Sequence, residues 1–317
     1  MDALSGLLGG SAGPDPAFLL RVQLAAPFGL TLADGAALSV VVTSRGPLTL
    51  THPDGVYEVA EGSVVLVRGE RRWSLTDDQS GPATAIVHRG HRCETLTGEP
   101  LAERWSLGIR TWGNAEEASA SHLMLVGVYP TVPEVGRYVL DALPGVHVVE
   151  EGVIDPALIE LFGHEMIRDD LAQPVVLSRT LDLLVVLAVR HWMHHRAVAT
   201  PGATRGLADP VVGPVIRLMQ RHPAKRWTVA SLAAECGMSR AALAKRFTEV
   251  VGVAPITLLT DWRMAVTADR LASSRDPIAR IAGEVGYGSA FALSTAFKRH
   301  YGVSPHHYRS TGRGTAA

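Results

Sequence analysis

The hydrophobic positions change their period along the chain. Between Leu38 and Val128 they come in short β-rich runs: Leu38–Thr43, Pro47–Thr51, Val56–Val59, Ser63–Val67, Trp73–Leu75, Ala83–His88 and His122–Val128. Turn residues such as Pro53-Asp-Gly55, Glu61-Gly62 and Asp77-Asp78 separate these runs, which predicts an all-β barrel or sandwich. Arg89 to Ser121 carries no readable period. From Glu134 onward the spacing turns helical and predicts helices over Val135–Leu143, Pro156–Ala172 and Val176–His195. In the last of these, Leu177, Leu181, Leu184, Val185, Ala188 and Trp192 form a stripe that Leu183, Val186, Leu187 and Val189 widen. A helix this apolar is buried on more than one side; packing on the barrel plus a two-helix dimer contact achieves that, and so does burial within one monomer. Met1–Pro16 reads as a short apolar helix and a Gly/Pro linker, and Ala197–Asp209 as an interdomain linker.

Beyond Pro210 one local design is written twice. Thr228–Phe247 followed by Val251-Gly-Val-Ala-Pro255 repeats as Pro277–Phe297 followed by Tyr301-Gly-Val-Ser-Pro305, with one residue inserted in the second turn. Each copy predicts a short helix, a turn opened by Gly237 or Gly286, and a second helix capped by Ser239 or Ser289. Leu243 with Phe247, and Leu293 with Phe297, pin that second helix inward and leave its other face open. This is a helix-turn-helix, whose second helix enters a DNA major groove. Val211–His222 braces the first unit. Ile256–Ser273 joins the two, and recognition helices serving successive grooves on one face of a duplex must lie about 34 Å apart.

Charge sharpens the picture. Residues 211–317 hold 15 Lys and Arg against 6 Asp and Glu, while the remainder holds 15 against 25. A basic C-terminal half on an acidic N-terminal one suits a chain that meets a polyanion at one end. Two cysteines, Cys93 and Cys236, are too few for a disulfide framework. Met1-Asp-Ala-Leu-Ser-Gly has no basic leader, and the apolar run Leu181–Val189 is too short to span a bilayer, so the sequence places the protein in the cytoplasm, away from membranes. His88, His91 and Cys93 offer metal-ligand types, yet structural zinc sites need four ligands at tight spacing, so no metal and no cofactor is expected. His191, His194 and His195 end a helix whose dipole accounts for them.

The duplicated pattern, the joining helix and the closing Val285-Gly-Tyr287, Phe297-Lys-Arg-His-Tyr301-Gly-Val-Ser-Pro305-His-His-Tyr308-Arg309 resemble the AraC/XylS family of transcription regulators over roughly residues 209–310. Gly62–Trp73 resembles the cupin strand motif, with Arg68 at its Pro, Glu70 at its Gly and Trp73 at its metal-binding His. The resemblance implies two domains: a cupin-like β-barrel followed by helices at 1–196, for sensing and dimerisation, and after a linker at 197–209 an all-α DNA-binding domain at 210–310. The latter holds helix-turn-helix units at about 228–250 and 277–300, and 311–317 is a tail. It implies a non-enzymatic regulator, an activator in many members, with double-stranded DNA, RNA polymerase, a small-molecule effector and a second copy of itself as partners. Carried over by position, Arg240, Ala241, Ala244, Lys245 and Arg246 of the first recognition helix face bases. So do Ser289, Ala290, Ser294 and Thr295 of the second, while Lys298 and Arg299 meet phosphate.

The first set offers donors to guanine O6 and N7; the second offers methyls and hydroxyls that suit thymine methyls. Some cupin-bearing members resemble thiol sensors with a Cys-Gly-x-Tyr segment, which here reads Val126-Gly-Val-Tyr129, and Val22 stands where some carry another Cys; only Cys93 could provide the accessible thiolate a switch needs, so thiol sensing by the usual pair is not expected. An effector inside the barrel is the default, with Arg45, Arg68, Arg71, Arg72, Trp73, His88, Arg110 and Trp112 as its contacts. A ligand-independent dimeric regulator and a metal-dependent cupin enzyme fused to a DNA-binding module are the alternatives.

Overall fold

The computed structural model describes residues 17–77, 83–90, 92–195 and 202–311. The apolar helix read at Met1–Pro16, His91 and the tail from 312 lie outside them. Two compact units emerge, one from residues 15–132 and 143–192, the other including 133–142 and the chain from 193 onward. The segment 133–142, read as part of the N-terminal domain, thus groups with the C-terminal one.

The first unit is built from two sheets. One runs in the order β10 (Ser106–Gly108), β11 (Thr111–Gly113), β1 (Phe18–Leu24), β12 (His122–Tyr129), β3 (Leu38–Arg45), β6 (Val64–Arg68), β13 (Val146–Val149). The other runs β5 (Gly55–Val59), β4 (Leu48–His52), β7 (Trp73–Thr76), β2 (Gly29–Ala33), β8 (Ala85–His88), β9 (Cys93–Glu94). All seven expected runs are strands. Alternate residues of each strand fill the space between the sheets, among them Val22, Leu30, Val41, Leu50, Val65, Leu75 and Met124. Val40, Val42, Val64 and Leu66 are buried as well, so β3 and β6 are covered on both faces.

The helices α2 (Pro156–Ile167) and α3 (Gln173–His195) supply that cover. Asp155 caps α2 by accepting the Ala157 amide at 3.0 Å, with Pro156 in the first turn. Gly127 of β12 lets α3 approach closely, since a β-carbon there would stand 2.6 Å from Leu181 Cδ1. Leu177, Leu181, Leu184, Val185 and Trp192 are buried along α3, each contributing roughly 1.5–3 kcal/mol. Tyr129 at the end of β12 donates from its hydroxyl to Asp182 Oδ1 at 3.0 Å.

The second unit comprises α1 (Glu134–Leu140), α4 (Ala203–Ala208), α5 (Val212–Arg221), α6 (Val229–Glu235), α7 (Arg240–Val251), α8 (Pro255–Ser273), α9 (Ile278–Glu284), α10 (Ala290–Tyr301) and α11 (Pro305–Thr311). It has two cores on a common spine. Leu258 and Leu259 from the start of α8 join Val215, Ile216, Leu232, Leu243 and Phe247. Met264, Ala268 and Leu271 from its later turns join Ile281, Val285, Leu293, Phe297 and Tyr308. The α1 helix lies on the same spine: its Glu134 and Val135 amides donate to the Asp269 carboxylate at 2.7 and 2.9 Å, and Tyr138 packs edge-on against Trp262.

The segment read as linker holds a helix, α4. Its Gly206 sits against Ile216 and Val251, where a β-carbon would come within 2.6 Å of Ile216. Six residues are too few to display a hydrophobic period. Asp209 then closes the junction: Oδ1 accepts from the Val211 and Val212 amides and Oδ2 from Arg246, at 2.8–2.9 Å. Burial acts to raise this carboxyl, but those hydrogen bonds and the Arg246 charge outweigh it and hold the group below its ordinary value.

Candidate nucleic-acid interface

The two helix-turn-helix units are α6–α7 and α9–α10. In the first, Thr228 and Ser231 form a reciprocal cap on α6. Gly237, at φ +64°, turns the chain, and Ser239 accepts the Ala242 amide at 3.1 Å to start α7. In the second, Gly286 turns at φ +83° and Ser289 accepts the Ala292 amide at 3.1 Å to start α10. Leu243 and Phe247, then Leu293 and Phe297, are fully buried beneath the two second helices. Because residues four apart share a helix face, these seams aim the opposite faces outward.

On α7 the outward face carries Arg240, Ala241 and Lys245, all exposed, with Ala244 half-buried beside them. Lys245 reaches Glu249 only loosely, at 3.9 Å, and is 80% exposed. Arg246 points elsewhere, into its ion pair with Asp209. On α10 Thr295, Lys298 and Arg299 are exposed, whereas Ala290 and Ser294 are half-buried. Ser289 is exposed but its hydroxyl serves the helix cap. Arg240, Lys298 and Arg299 have no carboxylate partner among the described residues, in contrast to Arg270 and Arg280, which share Asp276 and Glu284. The outward stripe of α10 also includes Phe291, 82% exposed. Sequence reasoning passed over it, although the equivalence of Leu243 with Leu293 places it opposite Ala241.

The β unit holds a cavity of about 260 Å³ between its sheets, lined mainly by apolar residues including Val22, Leu30, Leu75, Met124 and Val126. Of the sequence-nominated effector contacts, Trp73, Arg110 and Trp112 reach it. The others do not line it: Arg45 donates to the Glu117 and Ala120 carbonyls, Arg68 to the Leu143 carbonyl, and His88 Nε2 lies 2.8 Å from Glu94. Arg71 pairs with Asp54 at 3.0 Å and Arg72 is exposed. Trp112 is 6% exposed, and its indole Nε1 has no hydrogen-bond partner among the described residues. Cys93, the candidate for an accessible thiolate, lines the cavity wall, buried, and burial pushes its thiol up to about 11. Among the described residues there is no cluster of three or more potential metal ligands and no helix long and apolar enough to cross a membrane.

Comparison with known proteins places these features. Residues 2–194 match a cupin family model and residues 232–311 a helix-turn-helix domain model. A putative AraC-like transcription regulator from Streptomyces antibioticus is 31% identical over 83% of this chain and 82% of its own. The RCS-specific HTH-type transcriptional activator RclR of Escherichia coli is 36% identical over 40% of this chain and 44% of its own. The solved DNA-binding domain of AdpA, a global transcriptional factor, in complex with a target DNA, is 32% identical over 32% of this chain and 92% of that one, with a TM-score of 0.31. With its barrel under the cupin model and four fifths of its length shared with that Streptomyces protein, the chain belongs to the AraC-like family of DNA-binding transcription regulators.

Proposed function

We propose that this regulator reads an asymmetric DNA site with α7 and α10 in neighbouring major grooves, under control of a small molecule held in the barrel cavity. The observation that carries the first half is the pair of like-built recognition helices whose outward faces hold the uncommitted cations Arg240, Lys298 and Arg299 and the loosely held Lys245. Arg240 and Lys245 suit guanine O6 and N7, Ala241 and Ala244 let the α7 backbone come close, and Lys298 and Arg299 suit phosphate. Ala290, Ser294 and Thr295 add contacts of lower polarity, Ser289 mainly positions the helix, and Arg246 serves the junction at Asp209 before it serves the groove. Residues 210–310 thus read DNA, and the unit of residues 15–132 and 143–192 senses and pairs.

The cavity supports ligand control over ligand-independent action. Its lining suits a compact, mainly apolar effector, and the tryptophan standing where the cupin motif has a metal-binding His favours a binding site over a metalloenzyme. Leu161, Ile167, Val175, Val176 and Leu183, exposed along α2 and α3, and Leu171 in the loop between them, support pairing with a second copy of the chain. The Escherichia coli relative is named an activator; the same sign, with RNA polymerase as partner and the cytoplasm as compartment, is the reading here. Selection of bound sequences from a random duplex library by the full-length protein is the test. Enrichment of an asymmetric motif spanning two grooves supports the reading, and absence of any enriched sequence overturns it.

A further inference from the structure

Phe291 is an anomaly of the second recognition helix. It is the second residue of α10, and 82% of it is exposed while Leu293 and Phe297, on the opposite face, are fully buried. Helical spacing puts Phe291, Thr295 and Lys298 in one outward stripe, at i, i+4 and i+7. The corresponding stripe of α7 is Ala241, Lys245 and Thr248. All three positions differ: the lysine moves from the second to the third, and at the first α7 has a methyl where α10 has an aromatic ring. A ring so placed contributes nothing to its own core, so its use lies with whatever meets this face. Lys298 in the same stripe and Arg299 next to it, both without carboxylate partners among the described residues, give that face the charge of a DNA-binding surface.

Resting on the proposed insertion of α10 into a major groove, we infer that Phe291 is a specificity-determining residue that recognises thymine through its C5-methyl group. Phenylalanine has no hydrogen-bonding atom, so it does not read the donor and acceptor pattern of a base edge. The thymine methyl is the apolar feature of the major groove, and burying it against an aromatic ring distinguishes T·A from the other pairs. The N-terminal residues of a recognition helix are those that reach base edges, and the second position is among them. The two units thereby divide the reading: α7 takes guanine with Arg240 and Lys245, and α10 takes thymine with Phe291.

The test uses the full-length protein and a duplex taken from the random-library selection, in which each thymine is replaced singly by deoxyuridine. That exchange deletes one methyl group and keeps every hydrogen-bonding atom. Wild-type protein should lose about 5- to 10-fold in affinity at one or two thymines of the half-site facing α10, within the cost of a single mismatch. The Phe291→Ala protein should bind the all-thymine duplex about 10-fold more weakly and show no further loss at those positions. Phe291→Leu should keep part of the discrimination. Since the ring is exposed, both variants should melt with the wild type. Equal deoxyuridine penalties in wild type and Phe291→Ala would overturn the assignment. So would unchanged DNA affinity coupled to reduced transcription, which would make the ring a contact for another protein. Lys245→Ala and Lys298→Ala measured alongside separate this from failure of the groove reading, because that failure would leave their affinities unchanged as well.

Discussion

Gly237 and Gly286 occupy equivalent turns, yet replacing each by alanine should have unequal effects. Both have positive φ, +64° and +83°, and an L-residue there costs roughly 1 kcal/mol. Around Gly237 a new β-carbon meets nothing within 4 Å, so Gly237→Ala should cost about that much. At Gly286 it would stand 2.7 Å from the Ala224 carbonyl oxygen, 2.9 Å from Ala224 Cα and 3.0 Å from its carbonyl carbon. These are backbone atoms and cannot swing aside. Overpacking adds roughly 1–3 kcal/mol, which brings Gly286→Ala to about 3 kcal/mol. Ala224 leads into α6, so relieving the clash moves the second helix-turn-helix away from the first. Hydrogen exchange read by mass spectrometry resolves the halves separately. Peptides from α9 and α10 should lose about 100-fold in protection in Gly286→Ala, those around Gly237 about 5-fold in Gly237→Ala. Equal losses would show that the Ala224 contact does not constrain the turn.

Other outcomes follow from the site. Lys245→Ala should weaken binding and relax preference at one or two base pairs, measured at fixed salt; an unchanged preference removes its role in base reading. Arg299→Ala should weaken all sequences alike and lower the salt slope by about 1, seen in affinities across a salt series. Because burial raises the Cys93 thiol to about 11, Cys93 in the folded protein should resist iodoacetamide at pH 8 and react once the chain is unfolded in urea, read by peptide mass spectrometry apart from the half-buried Cys236. The sign for stability is the same: the folded state favours the neutral thiol, so its contribution is intact below the unfolded value near 9 and fades as pH rises from there to 11. Rapid native-state alkylation at Cys93 would contradict its burial.

Much of this was legible in the residues. Long periodic segments announced themselves: β3, β6, β12 and α3 appear where their spacing put them, as does α8, because each buries a face whose period survives over eight residues or more, or in β6 a run of four consecutive apolar residues. Shorter pieces left no such mark. β9, β10 and β11 span two or three residues each, and α4 spans six, so no period accumulates. β1 follows a Gly/Pro stretch that reads as linker, and β13, Val146–Val149, lies between helical segments. The cap residues Ser239 and Ser289 were readable because capping depends on local chemistry. Phe291 was not, since an aromatic flanked by alanines near two seam residues reads as core until the helix face is known. The barrel cavity was equally hidden: Val22, Leu30 and Cys93 come from strands remote in sequence, and only the sheet order brings them together. Arg45, Arg68 and His88 looked like contacts by residue type, but their partners are backbone carbonyls and Glu94.

The claim that one chain reads DNA with two unequal heads is tested most directly by methylation interference on a selected duplex, which probes guanine N7 in the major groove. Interference is predicted in one major groove under α7, lost at one or two guanines in Lys245→Ala, together with a neighbouring groove one helical turn or about 10 base pairs away that shows little guanine interference and in which deoxyuridine replacement of thymine weakens binding. Strong guanine interference in both grooves, or no loss of affinity on removing any thymine methyl in the neighbouring groove, would contradict it.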